Sequence, residues 1–364
     1  MKIDISTIDN SSFRIKEGIL SGQLVRLITP VDFNCKWTSE TLHFRSLMLD
    51  YEYNVISCGL NKFFNLGEKE DLYPNPNKFK DLIFSSKEDG SLLVCDLIFG
   101  QLNVRTRGTF SYKDHKNISD FEYVINKYDI SGLTIKYPDY SILFEIYSPN
   151  NVIVLNPYST PEIVFLGAVS KVDNTFYPFY TPLGKEIQFI CKCKIPEIFP
   201  MIGNTLEIAA KIKLWEKKEG VVLIYNNGKN MLKMKSDWYL LRHRMKSELN
   251  SIENVMDLWI AHGYPSYINF YNEVLVSFDY EIAEQSKSHI SNICDAYKEV
   301  NKIVAHMEKF VLPLKALPRK DAALAIISSY GGESNNRAGF CFKLLDGKTL
   351  GGDDIKKLLF QVLK

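Results

Sequence analysis

The chain has 364 residues, 46% of them hydrophobic, which is enough for two domains with substantial cores. A formal net charge of +1 excludes bulk electrostatic adhesion to a polyanion. Residues 1–245 hold 30 basic and 28 acidic residues and the remainder 14 and 15, so neither part is a basic arm. Any positive site must be gathered locally. No run of about 18 apolar residues occurs and no signal-peptide pattern opens the chain, so the expectation is a cytoplasmic protein with no membrane span. The seven cysteines are irregularly spaced, and Cys191-Lys192-Cys193 lacks a second pair at zinc-site spacing, which predicts buried free thiols.

In chain order, residues 1–245 read as α+β with many short strands. Apolar or alternating runs at 92–98, 142–146, 152–155, 163–169 and 221–225 are bounded by Gly, Pro and Asn and predict strands. Asn226-Asn227-Gly228 before the run 231–234 predicts a hairpin turn, since Asn and Gly tolerate positive φ. Helices are expected at 120–128 and 205–213. After about residue 245 the pattern changes. Ile282, Ile290, Ile293, Tyr297, Val300, Val304 and Met307 recur at helical spacing across 278–310, and Pro313 and Pro318 punctuate the stretch after it. Further helices are expected at 321–329 and at 353–363, the latter capped by an aspartate after Gly351-Gly352. Residues 1–245 therefore form one domain and 246–364 a smaller helical one.

The chemistry-bearing residues begin at Ser86-Lys87-Glu88-Asp89-Gly90-Ser91, where a lysine precedes a tight turn and Gly90 lets the backbone approach a ligand. Alone, this is an ordinary charged turn. Three further features keep it company. Glu145 sits inside an apolar strand, Glu219 starts another, and Lys233 and Lys235 alternate with apolar residues, which puts both ammonium groups on one strand face. Charges inside apolar strands are costly unless paired or bound. Two carboxylates and three amines on neighbouring strands suit a magnesium-bound nucleotide phosphate.

In this order Lys87–Ser91, Glu145, Glu219-Gly220 and Lys233-Met234-Lys235 resemble motifs I, III, IV and V of the covalent nucleotidyltransferases. The run Lys233-Met234-Lys235-Ser236-Asp237-Trp238-Tyr239 is similar to the fifth motif of the bacteriophage RNA ligase 1 family. Phe44-Arg45-Ser46-Leu47-Met48, Asn61-Lys62-Phe63-Phe64-Asn65 and Arg105-Thr106-Arg107-Gly108-Thr109 fit the same group. Ser46 stands where glycine is expected and Arg107 where lysine is common. The resemblance covers about residues 40–245. It implies an α+β, ATP-grasp-like ligase domain of antiparallel sheets with flanking helices, followed here by an all-helical domain that could recognise RNA.

The resemblance also implies an activity: ATP-dependent joining of 5′-phosphate and 3′-hydroxyl RNA ends through a lysyl-AMP intermediate, in RNA or tRNA repair. The protein would act as a monomer, in a host cytoplasm if phage-encoded. Lys87 would be the nucleophile, with Lys233 and Lys235 on the α-phosphate. Arg45, Lys62 and Arg107 would grip the phosphate tail, while Ser86, Lys87, Glu88 and Gly90 form the ATP-facing turn. Glu145 and Glu219 would hold Mg²⁺ or Mn²⁺ through water, and Glu145 could instead bind a ribose hydroxyl. Val222 and Leu166 could sandwich the adenine, although ordinary core is the simpler reading of both. A lysine must be neutral to attack phosphorus, so its reference pKa of about 10.4 must fall by about 3 units, a matter of roughly 4 kcal/mol. Neighbouring cations (Lys233, Lys235 and Arg107), a nearby Mg²⁺ and partial burial are expected to do this, with Glu88 pointing to the other face. The rivals are a DNA ligase or capping enzyme, whose usual all-β domain after motif V the helical pattern opposes, and an RNA-end-binding protein that has lost catalysis.

Overall fold

In the computed structural model the chain divides into two compact units, Met1–Leu241 and Arg242–Lys364. The structure describes residues 1–31, 35–115, 117–249, 251–277, 280–331 and 337–363. The first unit opens with β1 (Phe13–Leu20), β2 (Gln23–Pro30), β3 (Leu47–Leu49), β4 (Val55–Cys58) and the short β5 (Phe64–Asn65). There follow β6 (Ile83–Ser86), β7 (Ser91–Ile98), β8 (Gln101–Arg105), α1 (Ile118–Lys127) and α2 (Ile130–Lys136). β9 (Tyr140–Tyr147), β10 (Glu162–Ser170) and β11 (Phe176–Pro178) lead to α3 (Pro182–Cys191), β12 (Ile198–Phe199) and α4 (Thr205–Lys213). The hairpin of β13 (Gly220–Tyr225) and β14 (Asn230–Lys235) closes the unit's sheets.

Three sheets result, ordered β1-β2-β3-β4, β11-β10-β9-β7-β8 and β12-β6-β13-β14-β5. All pairings are antiparallel except β14 with β5. Period-2 alternation decides which face each strand buries. Leu93, Cys95, Phe144, Ile146 and Phe165 pack under α1, α2 and α3. Val94, Leu143 and Val169 turn the other way, joining Ile28 and Leu47 of the first sheet and Ile224 and Met231 of the third. Phe84, Val221, Leu223, Leu232 and Met234 cover α4. The second and third sheets thus face each other across one apolar layer, and the charged residues lie at its open end.

Local chemistry fixes the boundaries. Asn226, Asn227 and Gly228 all adopt positive φ (56°, 56° and 84°) in the β13–β14 turn, as their types predict. Asn204 caps α4, its side chain accepting from Leu206 N–H at 2.9 Å. Thr181 and Pro182 start α3 in the same way. The run 152–155, expected as a strand, is irregular. Its backbone N–H groups at Val154 and Leu155 donate instead to Asp89 Oδ2, at 2.9 and 2.6 Å.

The second unit is helical among the described residues: α5 (Asp237–Leu249, which starts in the first unit), α6 (Ile252–Ala261), α7 (Tyr267–Ser277), α8 (Tyr280–Leu314), α9 (Arg319–Tyr330), α10 (Arg337–Leu345) and α11 (Gly352–Leu363). Trp259, 1% exposed, centres its core, and its indole N–H donates to Pro265 O at 2.9 Å. Ile290, Ile293, Val300 and Met307 of α8 are buried there, as their spacing requires. Phe278 and the side chain of Ile282 lie outside the described residues. Pro313 falls inside the last turn of α8 rather than after it. At α11 it is Asp354, not Asp353, that reaches back to the chain start, accepting from Gly351 N–H at 3.1 Å. No described helix is long and apolar enough to cross a membrane.

Candidate active site

Lys87 follows β6 directly, and its backbone N–H donates to Gly220 O at 2.9 Å, extending the β6–β13 ladder by one residue. Val222 pairs with Ser85 on one side and Lys233 on the other, and Gly220 pairs with Lys235. Cross-strand partners share a face. Val222, Lys233 and Lys235 therefore lie together on the face turned away from α4, beside Lys87. Gly220 is required at its position: its φ is +144°, and a Cβ there would lie 2.0 Å from Met234 O.

Glu219 is the hub. Its side chain is 2% exposed, with Oε2 3.0 Å from Lys87 Nζ and Oε1 2.7 Å from Lys235 Nζ. Glu145 enters from β9, where Oε1 accepts the N–H of Gly90 at 3.2 Å. A Cβ on Gly90 would meet Ile146 O at 2.4 Å, so this close approach needs glycine. Lys62 Nζ lies 4.8 Å from the centroid of Phe64, while Arg45 and Lys233 flank the Phe63 ring at 5.7 and 6.0 Å. The expected cations thus converge from β14 and from the segments around β3 and β5. A cavity of about 740 Å³ opens at Lys87 and Glu219, lined also by Glu88, Tyr147, Tyr158, Lys194 and Lys218; Arg45, Lys62, Glu145, Lys233 and Lys235 are not in its lining.

Electrostatics corrects one expectation. Burial alone would pull the Lys87 ammonium down, but attraction to Glu219 and Glu145 outweighs it and holds the group above the ordinary lysine value. Lys233 is lowered, to about 8, through burial and then the charges of Lys62, Lys235, Lys87 and Arg45. Lys62 is lowered by burial and by Arg45. Arg45 falls to about 10 through burial and the nearby Arg107 charge. Glu145 rises to about 7, chiefly by burial, with Glu219 adding and Lys87 opposing.

Glu88 turns away from Lys87 as expected, accepting from Ser86 Oγ at 2.5 Å and Tyr147 OH at 2.6 Å. Arg107 is exposed and stays at the rim. Leu166 is the extra residue of a β-bulge between Phe165 and Gly167 and joins Val222 at the edge of the inter-sheet layer. Among the described residues no group of three or more His, Cys, Asp or Glu is arranged to hold a metal ion. The two carboxylates suit a divalent ion that arrives on a phosphate and keeps its waters, rather than a closed protein cage.

Sequence reasoning passed over Asp89, which is 4% exposed. It accepts Tyr239 OH at 2.5 Å on Oδ1 and the two backbone N–H groups of the 152–155 segment on Oδ2, and its own N–H donates to Tyr147 OH at 3.0 Å. Its signal was available: an acid between Lys87 and Gly90 and a tyrosine ending the 233–239 run. Arg105, fully buried, was overshadowed by Arg107. The Cys191 and Cys193 thiols are free and buried, their sulfurs 2.8 Å apart.

Solved structures similar to this chain include an archaeal ATP-dependent RNA ligase (14% identity, TM-score 0.45, covering 77% of this chain and 76% of that one). Others are a mutant Naegleria gruberi RNA ligase with ATP and Mn (14%, 0.41, 64% and 77%) and an Aquifex aeolicus protein named as an ATP-dependent DNA ligase (13%, 0.45, 92% and 96%). At this level the likeness bears on neither activity nor substrate. In sequence, the chain is 28% identical over 241 residues to an Autographa californica nuclear polyhedrosis virus protein named as a bifunctional polynucleotide kinase/RNA ligase. That match takes in 59% of this chain but spans about a third (33%) of the viral protein. No protein-family model matches the chain.

Proposed function

We propose that this chain is an ATP-dependent RNA ligase of the RNA ligase 1 type, forming a lysyl-AMP at Lys87. The observation that carries the reading is the convergence of Lys87, Lys235 and Lys233 with Glu219 and Glu145 at one open end between two sheets. The first step forms an N–P bond from Lys87 Nζ to the α-phosphorus as the bond to pyrophosphate breaks. AMP then passes to an RNA 5′-phosphate, and a 3′-hydroxyl displaces AMP to close the strand. Lys233 and Lys235 hold the α-phosphate, and Arg45 and Lys62 hold the phosphate tail, because phosphoryl transfer is mainly positioning and charge stabilisation.

Lys87 rests as an ammonium paired with Glu219, so it must lose a proton before attack. Glu219 and Glu145 would hold, through water, a divalent ion carried by ATP, Mg²⁺ or Mn²⁺, whose charge would offset their attraction for the Lys87 ammonium and favour its neutral form. Val222 and Leu166 contact the adenine, and residues 246–364 select the RNA, in keeping with tRNA or other RNA repair. Support in sequence comes from the viral relative, whose name includes RNA ligase.

The test presents 5′-phosphorylated RNA and DNA strands with ATP or GTP. Sealing of RNA with ATP is the expected result. GTP-dependent labelling would favour capping chemistry, preferential sealing of DNA a DNA ligase, and RNA binding without any covalent nucleotide a silent end-binding protein.

A further inference from the structure

We infer that Arg105, acting through Ser46, is a positioning residue for the cations that grip the ATP phosphate tail. The inference rests on the function proposed above but concerns residues that reading leaves without a role. Arg105 and Ser46 are both 0% exposed. From the end of β8, Arg105 Nε donates to Ser57 Oγ at 2.9 Å, Nη1 to Ser46 Oγ at 2.6 Å and Nη2 to Ser46 O at 3.3 Å. Ser46 Oγ in turn donates to Arg107 O at 2.8 Å, and Ser46 O accepts Gly59 N–H at 2.7 Å. One guanidinium thereby ties the residue after Arg45 to the residue two places beyond itself.

The charge of Arg105 is balanced indirectly. Ser57 Oγ donates to Asp96 Oδ2 at 2.5 Å, while Asp96 Oδ1 accepts Ser141 Oγ at 2.5 Å and lies 3.3 Å from Lys171 Nζ. Asp96 is also 0% exposed. Buried ionic networks of this kind contribute little net stability, and apolar replacements of similar volume are often neutral or better. Geometry is the better account of why the charge is here. Arg45 and Arg107 repel one another, and nothing in their own side-chain chemistry would keep their backbones together. The Ser46 hydroxyl and the Arg105 fork do so. Serine at 46, where the family resemblance expects glycine, supplies the hydroxyl that reaches Arg107 O.

The experiment compares wild type with Arg105→Met and Ser46→Ala in three reactions: lysyl-AMP formation against ATP concentration, its reversal against pyrophosphate, and sealing of pre-adenylylated RNA without ATP. The first two use the phosphate tail and the third does not. The expected result is a rise of about tenfold in the KM for ATP and for pyrophosphate, the scale of one lost hydrogen bond, with saturating rates and pre-adenylylated sealing within about threefold of wild type. If Arg105→Met does not fold, Ser46→Ala removes only the two Oγ bonds and carries the test. Wild-type KM values in the variants, or an equal loss in all three reactions, would overturn the assignment. Wild type that forms no lysyl-AMP at all would overturn the functional reading and this assignment with it, a result distinct from failure of the variants alone.

Discussion

Glu145 and Glu219 enter the same end of the inter-sheet layer, yet only Glu219 has two ammonium partners at hydrogen-bond distance. Glu145 is left with Gly90 N–H and is raised from 4.5 to about 7, first by burial and then by Glu219. A carboxyl whose folded value exceeds its unfolded value favours the fold when protonated. That contribution is fully present below about 4.5 and is lost as pH rises through about 7, an effect of up to about 3 kcal/mol. Ligand-free wild type should therefore lose stability relative to Glu145→Gln between pH 5 and pH 8. Urea midpoints of both proteins at the two pH values check this, and parallel shifts would refute it. The same residue should respond to ligand: nucleotide with a divalent ion should stabilise wild type more than Glu145→Gln at pH 8.

Strand-borne features were legible in the sequence because alternation is a local signal. The strands around 92–98, 142–146, 163–169 and 221–225, the Asn-Asn-Gly turn and the shared face of Lys233 and Lys235 follow from residue order alone. The run 152–155 misled because its apolar content mimics a strand, while its N–H groups are committed to the Asp89 carboxylate, a partner 65 residues away. The state of Lys87 was misjudged for a similar reason. Neighbouring lysines are visible in sequence, but the 3.0 Å contact through which Glu219, with Glu145, outweighs the effect of burial depends on where Gly220 turns the chain. Helices α2 and α3 were missed because each carries a glycine, a weak helix former, in its first turn. Gly220 gives the element-scale prediction. Gly220→Ala places a Cβ at a φ of +144° and against Met234 O, so it should destabilise the first unit by about 2–4 kcal/mol, read from urea unfolding. An unchanged midpoint would mean that the β13 start relaxes freely.

Across the whole chain, the candidate site falls within the first unit. Every residue assigned to the nucleotide lies before Leu241, and the second unit has its own core around Trp259. A fragment of residues 1–249, which keeps α5 intact, should fold cooperatively and still take AMP from ATP, while its rate of sealing RNA falls. Gel assays of label transfer and strand joining on the fragment and the full chain distinguish the two steps. Equal loss of both would assign the helices a part in nucleotide chemistry. Composition gave no hint of the two units, since neither part of the chain is markedly basic.

The central claim is that Lys87 becomes covalently joined to AMP. The direct measurement is to incubate the protein with a divalent ion and ATP radiolabelled at the α-phosphorus, denature it, and look for label on the polypeptide. Wild type should carry label that acid releases, as a phosphoramidate requires, and Lys87→Ala should carry none. Unlabelled wild type, or a Lys87→Ala protein that labels equally, would contradict the account.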